Sequence, residues 1–301
     1  MKKFLFVFFI AVSHLVTAQI VDVTSIKRVP ADAGASFPTI SPQGDYILVS
    51  GAGYEGLTKI DLATNQKTVL TTAASAGYQP VISPDGKKIA YRENSYRKNL
   101  RYVSVKSIDL SSGMVVEEMA PTRNFTGMTF SDSGLKLAQE KREVRKRTVI
   151  EQVNELPLVT SEDGVIVIYR NGVRTELTPN GKDKRYIWPS VSPDGTKLVY
   201  TIVKPTSTYV CDIDGQNQVA LGYLNTPQWV DNKCIIGMTD KDDGHEILSS
   251  SIDVVTVDGK IRQTLIPTSM KAMNPSVSAD GKTAVFGTVD GEIYLINMNP
   301  K

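Results

Sequence analysis

The residues best suited to chemistry in this chain are cations in two clusters. Lys141-Arg142-Glu143-Val144-Arg145-Lys146-Arg147 sets five bases around one acid, and Arg97, Lys98 and Arg101 form a second group upstream, close to Arg92. Grouped bases concentrate a positive field that steers carboxylates or phosphates toward them. Acid–base, metal and thiol chemistry have far less to work with. The histidines are His14, inside an apolar leader, and His245, in Asp242-Asp243-Gly244-His245-Glu246, which reads as a hairpin turn. One histidine beyond the leader provides neither a zinc ligand set nor a triad, and the chain carries no G-x-S-x-G elbow. Asp212-Ile213-Asp214-Gly215 and Asp240 to Asp243 offer oxygen ligands but lack the twelve-residue calcium-loop pattern, so they too read as turns. Cys211 and Cys234 read as two small buried residues in neighbouring units rather than an essential staple. The expectation is a protein with no metal, no cofactor and no catalytic residues.

Composition narrows the partners. The chain has 34 basic and 32 acidic residues, and its first 18 residues hold Lys2 and Lys3 but no acid. Those residues run from the two lysines through apolar Phe4 to Val12 and reach Val16-Thr17-Ala18, the order of an export signal cleaved after Ala18. The apolar run is shorter than the roughly 20 residues that span a bilayer, and Ser13 and His14 interrupt it. The mature chain is then formally neutral, with 34 − 2 = 32 bases against 32 acids. A general nucleic-acid binder would carry a large basic excess, so no nucleic-acid partner is expected. The expected location is periplasmic or secreted, with no membrane span after cleavage.

The elements that must position these residues come from a repeat. Pro-x-apolar-Ser-x-x-Gly occurs at Pro38 to Gly44, Pro80 to Gly86, Pro189 to Gly195 and Pro275 to Gly281. Degraded copies stand at Met128 to Gly134 and at Pro227 to Asn232. The serine-equivalent positions 41, 83, 131, 192, 230 and 278 are 42, 48, 61, 38 and 48 residues apart, intervals that suit four-stranded propeller blades. Pro begins a strand without wasting a donor. Ser-Pro-Asp-Gly turns the chain tightly, and runs such as Lys88-Ile89-Ala90-Tyr91 or Lys197-Leu198-Val199-Tyr200 form the next strand. Residues 1–18 are thus read as a signal peptide. Residues 19–301 are read as a single all-β domain, a six-bladed β-propeller of four-stranded antiparallel blades with an insertion at about 140–160 in the third blade. The last copy supplies only three strands, so strand-like Ile20 to Val29 should add the outer fourth strand and close the ring.

The Ser-Pro-Asp-Gly turn followed by Ile-Ala-Tyr or Leu-Val-Tyr resembles the TolB-type, WD40-like propeller repeat, and the resemblance covers nearly all of residues 36 to 298. That family includes periplasmic TolB proteins, the propeller halves of prolyl-oligopeptidase-like peptidases, and oligogalacturonate lyases that bind metal through histidines. The resemblance here is to the propeller alone, without the N-terminal domain of TolB. It implies a non-catalytic partner-binding or scaffold protein of the cell envelope. A carbohydrate-active or ligand-sensing propeller using its central channel is the alternative. Expected contact residues are Arg97, Lys98, Arg101, Lys141, Arg142, Arg145, Lys146, Arg147, Tyr186 and Trp188, with Phe37, Tyr78, Arg185 and Met273 near the same face. The expected partner is an envelope protein or an acidic glycan.

Overall fold

Turn chemistry and alternating apolar strands build a ring of antiparallel sheets, seen in a computed structural model that describes residues 19–139 and 156–301. Sheet I comprises strands Ser36–Ile40, Tyr46–Ser50, Leu57–Asp61 and Lys67–Thr71. Sheet II comprises Val81–Ile82, Lys88–Arg97, Leu100–Asp109 and Val115–Thr122, and sheet III is the hairpin Phe125–Ser131 with Gly134–Gln139. Sheet IV has Leu158–Glu162, Val165–Arg170 and Val173–Leu177. Sheet V has Tyr186–Val191, Lys197–Val203, Thr206–Asp212 and Val219–Gly222. Sheet VI has Asn225–Trp229, Cys234–Asp242, Ile247–Thr256 and Arg262–Ile266. Sheet VII has Ala272–Val277, Thr283–Thr288 and Ile293–Pro300, completed by Val21–Val29.

The all-β propeller is as the sequence predicts, and each of the six repeat copies begins a sheet. The 61-residue interval holds more than was expected of it. Between sheets III and V it contributes sheet IV as well, whose first strand lines the channel and runs opposite to its neighbours. Leu156, just before that strand, lies against Gly195 in a Ser-Pro-Asp-Gly turn, while Glu162 at its far end accepts a hydrogen bond from Thr126, at the start of sheet III. The expected insertion at about 140–160 therefore ends in an additional sheet, and seven sheets are present among the described residues.

Each repeat turn is a small hydrogen-bonded unit. Ser83 Oγ donates to Asp85 Oδ1 (2.6 Å) and accepts Lys88 N–H (2.9 Å), while Asp85 Oδ1 accepts Lys87 N–H (3.1 Å). Ser192 and Asp194 repeat this, as do Ser278 and Asp280. Gly195 and Gly281 close their turns at φ +73° and +68°, a region that costs a side-chain-bearing residue strain. The Ser83 hydroxyl and then the Lys87 amide hold the Asp85 carboxyl below its ordinary range, and Ser192 and the Thr196 amide do the same for Asp194. In other turns, hydroxyls of Ser111 and Thr256, aided by backbone amides, lower Asp109 and Asp258 to about 2. Depressed carboxyl pKa values add stability above the unfolded value of about 4 that is lost as pH falls through the folded values. The thermal midpoint should therefore be nearly flat down to about pH 5 and fall between about pH 4 and pH 2. Calorimetry across that range checks this.

The core lies between sheets. Tyr46, Leu48 and Leu57 of sheet I pack with Ile89, Tyr91 and Ile108 of sheet II, and comparable clusters join II to III, IV to V, V to VI, VI to VII and VII to I. Cys211 belongs to the IV–V cluster and Cys234 to the VI–VII cluster; both are free thiols, pushed up to about 12 chiefly by burial. Sheets III and IV are joined differently, through Thr126, Thr160 and buried Glu162.

Ring closure is as expected. Val21–Val29 pairs antiparallel with Ile293–Pro300, from Val21 opposite Pro300 to Val29 opposite Ile293. Gln263 of sheet VI clasps this strand: its Oε1 accepts the N–H groups of Ile20 (2.7 Å) and Val21 (3.0 Å), and its Nε2 donates to Val21 O (2.9 Å). Gln263→Ala leaves three half-buried backbone groups unpartnered. It should lower stability by about 1–3 kcal/mol, read as a shift in urea midpoint with unchanged slope.

Candidate functional site: the central channel and its mouth

A channel cavity of about 980 Å³ runs down the ring axis, lined by segments of all seven sheets. The repeat's proline shapes its rim. The residue before that proline is Phe37, Gln79, Trp188, Thr226 or Asn274, and each has φ between 47° and 51°. In four of the sheets it sits inside a register shift, as between Ser36 and Thr39 or between Ile187 and Ser190. Left-handed backbone is unfavourable for residues with a side chain, and a following proline ordinarily favours extended conformations. Repeated in five sheets, this strain brings five unlike side chains to equivalent places on the channel wall. Such strain persists only where the surrounding structure holds it, here the register shifts of the first strands.

One sector of the rim is aromatic. Phe37 stacks on Tyr54 with centroids 3.9 Å apart, and Tyr54 meets Tyr78 edge-on at 5.0 Å. The Arg92 guanidinium lies over the Tyr78 ring at 4.6 Å and over the Phe125 ring at 5.1 Å. Among the described residues that line the channel, Arg92 is the one charged side chain, and none is Asp, Glu, His or Cys. Burial lowers its pKa to about 10, Tyr78 opposes that shift and nearby Arg101 adds to it. Arg92 Nε is buried without a hydrogen-bond partner, as are Asn225 Oδ1 and Thr226 Oγ1 across the channel.

Arg97 and Lys98 occupy the tip of the hairpin between the second and third strands of sheet II, with Arg101 just after it, and all three are exposed. Because the second strand starts at the Ser-Pro-Asp-Gly turn, this tip projects on the face where the channel rim lies. Lys141, Arg142, Arg145, Lys146 and Arg147 lie outside the described residues, as do residues 1–18. Trp188 lines the channel, as do Phe37, Tyr78 and Met273. Tyr186 is a correction: it is fully buried, edge-on to Tyr200, its hydroxyl accepting Asn180 N–H and donating to Gly181 O. Aromatic character suggested a contact residue, but Tyr186 faces the IV–V core instead of the channel. His245 sits in the expected turn, where Asp243 Oδ1 accepts its N–H and that of Glu246. Among the described residues no group of His, Cys, Asp and Glu is placed to hold a metal.

Sequence reasoning passed over Tyr54, Gln79, Arg92, Thr226 and Asn274 as contact residues. For Gln79, Thr226 and Asn274 a signal existed, the position immediately before the repeat's proline. Arg92 looked like one more base of the hairpin cluster.

No protein-family model matches the sequence, and no curated protein matches it. Solved structures do. A candidate TolB from Agrobacterium tumefaciens superposes with TM-score 0.57 at 18% identity, covering 92% of this chain and 97% of that one. TolB from Acinetobacter baumannii gives 0.53 at 16% identity over 78% of this chain and 54% of the other, so the chain spans about half that protein's length. A chain of the mitotic checkpoint complex gives 0.57 at 11% identity, with 99% and 98% covered. At these identities the likeness is one of fold, and folds host many functions. By fold, the chain is a β-propeller, similar to the propellers of the two TolB structures.

Proposed function

We propose that this protein is a non-catalytic, exported propeller that binds a protein partner of the cell envelope through the rim of its central channel. The observation that carries the reading is the channel wall itself, which among the described residues has aromatic, apolar and neutral polar side chains, one guanidinium and no carboxylate, histidine or thiol. Such a surface has the anchors of a protein contact, aromatic and Arg residues beside a concave pocket. Among the described residues it shows no acid pair of the kind that glycoside hydrolysis requires. The leader-like residues 2–18 support the placement in the envelope, and among the described residues no helix is long and apolar enough to cross a membrane.

The hairpin carrying Arg97, Lys98 and Arg101 supplies the approach. On a chain that is formally neutral once the leader's two lysines are removed, it gives the rim face a local positive field, which speeds encounter with an acidic partner and is screened by salt. Changing Arg97, Lys98 and Arg101 together to Glu should slow association about tenfold at low salt, with little change in dissociation. Because the sites are exposed, stability should move by no more than about 0.5 kcal/mol each. The test is surface-immobilised mature protein exposed to host envelope extract, followed by kinetics on the isolated partner. An association rate indifferent both to charge reversal and to salt contradicts the reading.

A further inference from the structure

Arg92 differs from the ion-paired cations of the ring, and it is the one cation that lies over two aromatic rings among those described. Arg174 is paired with Glu162 and Glu176, Arg262 with Asp253, Lys197 with Asp212, and Lys106 with Glu93. Arg92 is more enclosed than the exposed bases near it, yet it has no ion pair or hydrogen bond among the described residues. Its guanidinium lies over two ring faces, 4.6 Å from the Tyr78 centroid and 5.1 Å from that of Phe125, and the side chain lines the channel. Enclosing part of a charge without a partner anion costs free energy, and the two ring faces offset some of that cost. Two rings and no carboxylate orient the group without neutralising it.

From these observations we infer that Arg92 is the receptor for a carboxylate, carried on an acidic side chain of a peptide loop that the partner inserts into the channel. A planar carboxylate matches the guanidinium fork in a two-point contact. The positive sign of Arg92, the one charge on the wall among the described residues, selects an anion, and the exposed hairpin bases attract the same sign from outside. The unpartnered Asn225 Oδ1 and Thr226 Oγ1 across the channel can take the loop's backbone N–H groups. The aromatic sector of Phe37, Tyr54 and Tyr78 then receives the apolar residue next to the acid. This rests on the proposed binding at the channel rim and adds the chemistry of the group bound there.

The test uses a displayed library of constrained seven-residue loops selected on the whole mature protein. Selected loops are then measured against Trp188→Ala, Arg92→Gln and Arg92→Lys. Expected loops carry Asp or Glu at one fixed position and bind about tenfold to a hundredfold more weakly to Arg92→Gln, with Arg92→Lys intermediate because it keeps the charge and loses the fork. Loops that are weakened by Trp188→Ala, lack an enriched acid and ignore Arg92→Gln would overturn the inference while leaving the rim as the binding surface. Loops indifferent to both variants, or no loops at all, would count against the inference and the proposed function together. The thermal midpoint of Arg92→Gln should lie within about 3 °C of the parent, since no hydrogen bond is lost. A much larger fall would show that Arg92 serves to pack Tyr78 against Phe125, and would equally overturn the assignment.

Discussion

Replacing Arg174 by alanine should lower stability by about 3 kcal/mol. Glu162 is almost fully buried, and its Oε2 accepts both Arg174 Nη2 (2.8 Å) and Nε (3.2 Å). Its Oε1 accepts the hydroxyls of Tyr169 (2.6 Å) and Thr126 (3.0 Å). The Tyr169 hydroxyl is pushed up to about 12 by burial and then by that carboxylate, while Glu162 and Glu176 hold the Arg174 guanidinium more firmly protonated than usual. Breaking a buried pair from one side strands the other charge, and such breaks cost about 3–5 kcal/mol; Arg174 is about a third exposed, which places it at the low end. The position matters because this network, with Thr160 Oγ1 donating to Thr126 O at 2.9 Å, joins sheets III and IV where the other neighbouring sheets share an apolar cluster. Arg174→Met combined with Glu162→Gln should be milder than Arg174→Ala alone, because no charge is left unpaired. Denaturant unfolding of the three variants checks the order. Equal losses would mean that the charge is not what holds the two sheets together.

Trp188→Ala should weaken partner binding by about 2 kcal/mol or more, roughly thirtyfold, with little effect on folding. Trp188 lines the channel, half-buried, and its backbone at φ 50° presents it at the rim position also taken by Phe37 and Asn274. Removing the side chain takes away a large amphipathic anchor without opening a cavity in any inter-sheet cluster. Trp188→Gly offers an internal control. Glycine accepts the left-handed backbone that alanine does not, so the glycine variant should be at least as stable as the alanine variant and bind equally poorly. Titration calorimetry with the isolated partner, alongside thermal unfolding, separates the two effects. Binding lost only in proportion to stability would remove Trp188 from the contact surface.

Much of the ring was legible because the repeat's letters are local chemistry. Ser, Asp and Gly at fixed offsets form the same hydrogen-bonded turn at Ser83, Ser192 and Ser278, and a turn plus an alternating run places a strand wherever it occurs. The closing strand Val21–Val29 was readable for a different reason: the last sheet was one strand short and an unassigned strand-like segment was on hand. Sheet IV was not readable as a separate sheet. Its Ser161-Glu162-Asp163-Gly164 has the letters of the repeat turn, but Ser161 Oγ donates to Tyr186 O at the start of sheet V, at the opposite end of the sheet from the true turns. Local letters do not carry strand direction; the contacts of Leu156 and Glu162 do. Tyr186 and Trp188 show the same limit at the level of single residues. Two positions apart on one strand, they differ in destination because a register shift between Ile187 and Ser190 intervenes, and pattern reading assigned both to the contact face. Arg92 was obscured in another way, since its enclosure depends on Tyr78 arriving from the connection before sheet II and Phe125 from sheet III.

The central claim is that the partner sits on the channel rim, and site-specific photocrosslinking in the native envelope tests it most directly. A photoreactive side chain would be placed at Trp188 or Gln79 on the rim, and at Gln43 or Asp194 on the Ser-Pro-Asp-Gly face. The account predicts one crosslinked partner from both rim positions and none from the turn face. Crosslinks formed from Gln43 and Asp194, with none from Trp188 and Gln79, would contradict it.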